Sequence, residues 1–313
     1  MPKLIKYLLY AGAFVGSFVL FVYWMLPMEA VKTRVIQSIE TALGSNYSVK
    51  IKEVDTHWIT GVNLEDVSIL QVNQGKEETV LKAERIKARA GLFSLLFGGP
   101  KIKFDATVGK ADIKGVLHAS DQGWSLDCSL EDVDFEKTPL IKKTTGLNLN
   151  SSIEGEIQVN YDARQPLRTV GNVELNFAKL FLKAGDVPLG EMGTFPLPDL
   201  SMATKGSLIK ATIDKGAINV ESLKLKGDDF NLELSGKVFL APDVSRYRMN
   251  LQGKFQFSQK LWGVLDPILP ATWLDELKKQ KSADDNFPIS VAGQFASPQI
   301  YSGTVAIYPF KPF

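Results

Sequence analysis

In the stretch 216–242, GAINVESLKLKGDDFNLELSGKVFLAP, apolar side chains recur every second residue. Ile218 and Val220 are followed by Leu223 and Leu225, then Phe230, Leu232 and Leu234, then Val238 and Leu240. Glu221, Lys224, Lys226, Asn231, Glu233 and Lys237 stand between them. A period of two belongs to β-strands, and it gives each strand one apolar face and one wet face. The same alternation runs through 101–108, 111–117, 124–130, 153–161, 173–182, 247–257 and 289–295. Turn-forming clusters such as Gly227-Asp228-Asp229 and Asp121-Gln122-Gly123 separate the runs,. Strands joined by such short turns predict antiparallel meanders.

This pattern sets a problem of cover. A strand of about ten residues is roughly 33 Å long, and about a dozen side by side present thousands of Å² of apolar surface. At ~25 cal/mol per Å² that surface represents tens of kcal/mol, too much to leave in water. A second sheet makes a sandwich, closure makes a barrel, and a curved open sheet can fold its apolar face around lipid chains. Alternation alone does not separate these three. Glycines stand two positions before an apolar residue at Gly155, Gly171, Gly236, Gly253 and Gly293, with Gly115 similar. By parity most of them fall on the apolar face, where strand glycine marks a bend or a close approach.

Two segments break the strand pattern. The proline-bearing stretch 183–200 reads as a loop, and 258–286 reads as a helical insert carrying Trp262, Leu265, Trp273, Leu274 and Leu277. The N-terminal end differs in kind. Tyr7 to Leu26 is a run of twenty residues without a charge, about the length an α-helix needs to cross a bilayer,. Tyr7, Leu8, Phe14, Phe18, Phe21, Trp24 and Leu26 are the expected anchor residues, with aromatics near both ends,. The run ends in bulky Tyr23-Trp24-Met25-Leu26-Pro27 rather than a small-residue cleavage site, which favours an uncleaved anchor over a signal peptide,. Lys3 and Lys6 favour a cytoplasmic N-terminus, placing the body outside the cytoplasm,. Val31, Val35, Ile36, Ile39 and Leu43 then form the stripe of an amphipathic helix that docks on the domain,. The expected organisation is an anchor at 1–27, a juxtamembrane helix at 28–44 and a β-rich domain at 45–313.

Recognisable reaction chemistry is missing from the sequence. Thirty-six basic residues face thirty-five acidic ones, scattered along the chain, which leaves no footprint for nucleic acid,. The single cysteine, Cys128, lies in an alternating run and reads as a small core residue,. His57 and His118 have no metal-ligand spacing, and no nucleophile elbow, phosphate loop or dinucleotide fingerprint is present,. Glu65-Asp66 forms a polar break in an apolar strand, and Asp228-Asp229 reads as solvated turn chemistry,. An enzyme is not expected, and neither is a cofactor or a bound metal.

Several segments resemble the AsmA-like proteins. The anchor and helix lead into Leu43-Gly44, a strand over 49–54, Trp58 to Gly61, and a strand over 62–70. More specifically, FPLPDLSMATKGSLIKATIDKGAINVESLKLKGDDFNLELSGKVFLAP at 195–242 is similar to the AsmA-like form of type II secretion system protein N. FPISVAGQFASPQI at 287–300 resembles the closing segment of that family. The resemblance implies a mainly β fold with a long curved antiparallel sheet forming an open groove, the alternative being a closed β-sandwich or barrel. It implies a single-pass protein of the bacterial inner membrane, facing the periplasm as an accessory component of a type II secretion system. Phospholipid acyl chains and other secretion components are the implied partners. The alternative is a lipid-transfer or outer-membrane-biogenesis protein not tied to secretion. The groove lining expected on this reading is Phe104, Val108, Leu126, Ile157, Val159, Phe230, Leu232, Leu234, Phe255 and Phe257.

Overall fold

The computed structural model describes residues 28–43, 47–57, 60–73, 76–91, 101–120, 122–137, 148–188, 194–241, 246–267 and 269–308. The expected anchor residues from Tyr7 to Leu26 lie outside them. Among the described residues no helix is long and apolar enough to cross a membrane. The chain divides into two compact units, Met1–Arg89 and Ala90–Phe313.

In the first unit, helix α1 (Met28–Leu43) precedes the strands β1 (Tyr47–His57), β2 (Gly61–Asn73) and β3 (Lys76–Ala90). These pair as an antiparallel meander with Val49, Ile51, Val54, Leu64, Val67, Leu70, Val80 and Ala83 buried. The helix packs on β1 within this unit. There Glu40 Oε1 accepts from the Val49 amide at 2.8 Å, and Lys32 Nζ donates to the Lys52 carbonyl at 3.1 Å. The polar break at Glu65-Asp66 is a kink in β2. Asp66 takes φ 49° and its carboxylate bridges Lys52 at 3.3 Å and Lys82 at 3.9 Å. The buried set steps from Leu64 to Val67 across this residue, and then to Leu70, where the pairing with β3 shifts register between Ile69 and Leu70,.

The second unit is an open antiparallel sheet. It runs β4 (Lys101–Val108), β5 (Ala111–Ser120), β6 (Gly123–Val133), β7 (Leu149–Asp162) and β8 (Val170–Leu182). It continues through β12 (Ser207–Asp214), β13 (Ala217–Lys226), β14 (Phe230–Phe239), β15 (Arg248–Phe257), β16 (Phe287–Gln294), β17 (Ser297–Ser302) and β18 (Val305–Tyr308). Each strand pairs with the next in this order, and the last does not return to β4, so the sheet is not a closed barrel. Within 183–200, which the sequence presents as a loop, β9 (Gly185–Pro188) and β10 (Thr194–Leu197) form a separate hairpin. The short strand β11 (Leu200–Ala203) pairs with the end of β8, in line with β12, which pairs with the earlier part of that strand. Its Leu200 and Ala203 are buried where the sequence pattern breaks.

Two helices follow β15. Helix α2 (Gln259–Leu265) starts at Ser258, whose hydroxyl accepts from the Leu261 amide at 3.2 Å in an N-cap bond,. Helix α3 (Ala271–Lys279) buries Trp273, Leu274 and Leu277, one face at helical spacing, and ends in Lys278 and Lys279 where cations suit the helix dipole,. Both pack against the strand ends around Phe230, Phe257 and Phe287. Asp229 is buried there, contrary to the solvated turn expected at Asp228-Asp229. Its carboxylate accepts from the Ser201 amide at 2.9 Å and the Ser258 hydroxyl at 3.2 Å, with Lys260 Nζ at 3.6 Å. Three separate polar partners require the carboxylate at that position, which is why a turn aspartate is drawn inside.

Candidate functional site: the apolar face of the long sheet

Register decides which side chains share a face, because antiparallel partners point the same way. Phe104 opposes Gly115, Gly115 opposes Cys128, and Cys128 opposes Ile157. Leu126 opposes Val159, and Ile157 opposes Val173, which opposes Ala211. Further along, Leu225 opposes Leu232, Leu232 opposes Phe255, and Phe255 opposes Phe287. Four residues along from Phe104 and Phe230 respectively, Val108 and Leu234 keep the same parity. All ten residues expected to line an apolar groove therefore lie on one face, continuous from β4 to β16.

Glycines recur on that same face. Gly115, Gly155, Gly171, Gly236 and Gly253 sit where the neighbouring strand leaves no room for a side chain. A Cβ at Gly253 would lie 1.7 Å from the Glu233 carbonyl oxygen, and one at Gly155 would lie 2.1 Å from that of Glu174. The adjacent backbone thus approaches closely at these positions, and only glycine accommodates it,.

The face has two differently covered parts. Around Phe230, Leu232, Phe255 and Phe257, side chains of α2 and α3 form a second layer. Phe255 stacks on Phe287 with centroids 5.3 Å apart, and Trp262 meets Phe257 edge-on at 5.4 Å. The Trp273 indole N–H donates to the Ala306 carbonyl at 3.0 Å and ties α3 to β18. Beside this, Ala203 of β11 packs with Ile153, Phe177 and Leu180, and Val133, Phe135 and Met202 pack against that cluster. Four of the expected lining residues are consequently under a helical layer, a separation the strand pattern cannot reveal. Phe104, Val108, Leu126, Ile157 and Val159 are half-buried and belong to none of the clusters built by α2, α3 and β11.

The opposite face is wet. Lys114–Glu131 at 3.9 Å, Lys210–Glu221 at 3.7 Å and Lys254–Glu233 at 3.4 Å cross between neighbouring strands there, each worth about 0–1 kcal/mol. A shallow depression of about 530 Å³ on this face is lined by Ser125, Asp127, Gln158, Asn160, Asn172 and Thr212. Leu126, Val159, Val170, Gly171 and Ile213 also line it, so it mixes polar and apolar groups.

Cys128 is buried on the apolar face, its Sγ 3.8 Å from the Ser129 carbonyl. Burial, with the neighbouring Asp127 carboxylate second, pushes its thiol pKa up, which suits a core residue rather than a nucleophile. Among the described residues no three His, Cys, Asp or Glu side chains converge as metal ligands would.

Comparison with known proteins adds no relative: no family model, curated protein or solved structure matches this chain.

Proposed function

We propose that the part of the apolar face that no described helix covers holds lipid acyl chains, in a protein anchored in the bacterial inner membrane with its bulk in the periplasm. One observation carries this reading: the side chains of Phe104, Val108, Leu126, Ile157 and Val159 share a face, are half-buried, and stand outside the helical layer. Full burial of such a side chain is worth ~1.5–3 kcal/mol, so each leaves roughly 1 kcal/mol unrealised. An acyl chain laid across the strands supplies that missing burial without any polar partner. The glycines on this face, where neighbouring backbone approaches too closely for a side chain, support the same reading,.

The place of this function is a type II secretion apparatus, as an accessory component beside other secretion proteins. That assignment rests on the resemblance of 195–242 and 287–300 to the AsmA-like protein N family, which implies kinship with β-groove proteins thought to carry lipid along an apolar trough. The chemistry proposed is binding and transfer, with no bond made or broken.

The test is photo-crosslinking in the intact cell with the full chain. Val159→p-benzoylphenylalanine places the probe on the apolar face, and Gln158→p-benzoylphenylalanine places it on the wet one. Phospholipid adducts at position 159 and none at 158 are expected. Equal labelling, or a protein adduct at 159, removes the lipid reading. Loss of type II substrates from the medium in a deletion strain tests the secretion assignment separately.

A further inference from the structure

The large apolar side chains that stand exposed among the described residues all belong to one set of strand ends. Trp124 starts β6, Leu167 lies between β7 and β8, Val170 starts β8, Phe239 ends β14 and Phe295 follows β16. Leu167 and Phe295 are 60% and 59% exposed. By register Val170 opposes Asn160 and Phe239 opposes Arg248, so both stand on the wet face, where the groove has no use for them. These ends are also opposite the ones that α2 and α3 cover.

The rim is knit together. Ala163 donates its amide to the Gln122 carbonyl at 2.8 Å, Leu240 to Gly216 at 2.8 Å, and Phe295 to Tyr247 at 2.7 Å. A Cβ at Gly216 would touch Leu167 at 2.9 Å, so the β7–β8 loop rests against the β12–β13 turn. The apolar side chains are held by an ordered edge.

Its charge is equally one-sided. Residues 90–313 contain four arginines, Arg164, Arg168, Arg246 and Arg248, and all four are exposed on this rim. The sheet and helices elsewhere in the unit use lysine alone. Among the described residues none of these arginines has an acidic partner within ion-pair distance. Asp162 is occupied by the amides of Arg164 and Gln165 at 2.8 and 3.0 Å, and Asp214 pairs with Lys215 at 3.5 Å. Arginine presents a planar fork of donors that fits phosphate, and it is more weakly hydrated than lysine. Cations without an acidic partner among the described residues, interleaved with exposed apolar side chains, match the interface of an anionic bilayer, where phosphates lie just above acyl chains.

We infer that this rim docks on an anionic phospholipid bilayer, the arginines on headgroup phosphates and Leu167, Phe239 and Phe295 in the interfacial layer. The inference uses residues outside the proposed acyl-chain site and holds whether or not that site is filled. Docking here sets the wet face and the apolar face on either side of one membrane-contacting edge.

The experiment uses the full chain with Cys128→Ala and Phe295→Cys, labelled at position 295 with an environment-sensitive fluorophore. The protein is reconstituted into phosphatidylcholine vesicles, with or without phosphatidylglycerol, and with spin-labelled lipid as quencher. The expected result is a blue shift and lipid quenching in the phosphatidylglycerol vesicles, both lost on raising the salt concentration. Both are also lost when the four arginines are changed to glutamate, while their change to lysine retains part of the signal. The salt arm needs no variant beyond the labelled protein itself, so misfolding of the arginine variants cannot mimic it. A label that stays water-exposed on anionic vesicles overturns the inference, as does equal quenching in neutral ones or protection by a soluble protein alone. Phospholipid adducts at position 159 report the acyl-chain site independently of these outcomes.

Discussion

The hydroxyl of Ser258 donates to the carboxylate of Asp229 at 3.2 Å while accepting from the Leu261 amide, so one serine joins a strand turn to the start of a helix. Asp229 at the same time takes the Ser201 amide and faces Lys260. The helical layer is therefore fastened at its first residue to both β11 and the β13–β14 turn. Asp229→Ala leaves these buried donors unmet and is expected to cost about 2 kcal/mol. Asp229→Asn, which keeps an acceptor oxygen, costs less. Urea denaturation gives the magnitudes, and proteolysis within 258–286 shows which segment loosens.

Gly253→Ala and Gly263→Ala are expected to move stability in opposite directions. At 253 the new Cβ meets the Glu233 carbonyl carbon as well as its oxygen, at 2.8 and 1.7 Å, and backbone cannot yield without breaking strand pairing. A loss of at least ~1–3 kcal/mol follows. At Gly263, inside α2, nothing lies within 4 Å. Alanine there gains about 0.5–1 kcal/mol of helix propensity. Thermal melts of the two variants settle the signs.

The two parts of the apolar face are expected to respond differently to charge. Leu232→Lys introduces an ammonium beneath α2 and α3 and is expected to cost several kcal/mol, with unfolding visible by circular dichroism,. Val159→Lys, at a half-exposed position, is expected to cost about 1 kcal/mol. It leaves the fold intact and lowers the phospholipid recovered with the protein. A fold lost equally in both places dry core under the whole face.

Cys128 is expected to react slowly with thiol reagents near neutral pH and to accelerate only above the ordinary thiol range. Burial is the main cause and Asp127 the second, both favouring the neutral thiol. Because the folded pKa is raised, this group's contribution to stability is intact below the unfolded thiol pKa. It is lost as pH rises through the folded value. Alkylation rates of native and urea-unfolded protein, compared across that range, check the direction. Equal rates contradict it.

The Ser302 hydroxyl is fully buried without a hydrogen-bond partner. Ser302→Ala removes an unmet polar group and is expected to be neutral or stabilising by up to about 1 kcal/mol. A clear loss of stability in denaturant titration would show that a partner exists in solution.

The sheet was legible because each strand carries its own signal: Phe104 to Val108 and Phe230 to Val238 announce their faces by parity alone. The shared face of Phe104 and Phe255 also followed, since short turns enforce consecutive pairing. The helical cover was legible as helix but not as cover, since Leu261, Trp273 and Leu277 state that they must be buried and not against what. Asp229 was hidden for a related reason: an Asp-Asp pair after glycine has the composition of a solvated turn, and only its three partners make it a buried clasp. The hairpin of β9 and β10 escaped because Pro188, Pro196 and Pro198 mask strand periodicity,. The rim is assembled from five separate strand connections, so no single window of sequence displays it.

In the second unit, spatial neighbours are almost always neighbours along the chain, β11 and the two helices being the departures. Such a sheet has no central keystone. A hairpin could be duplicated or deleted near β5 and β6 with only the flanking pairings disturbed, much as a repeat array changes length. The fold thus carries an adjustable ruler in its strand number, while the clasp at Asp229 fixes where the ruler is stopped.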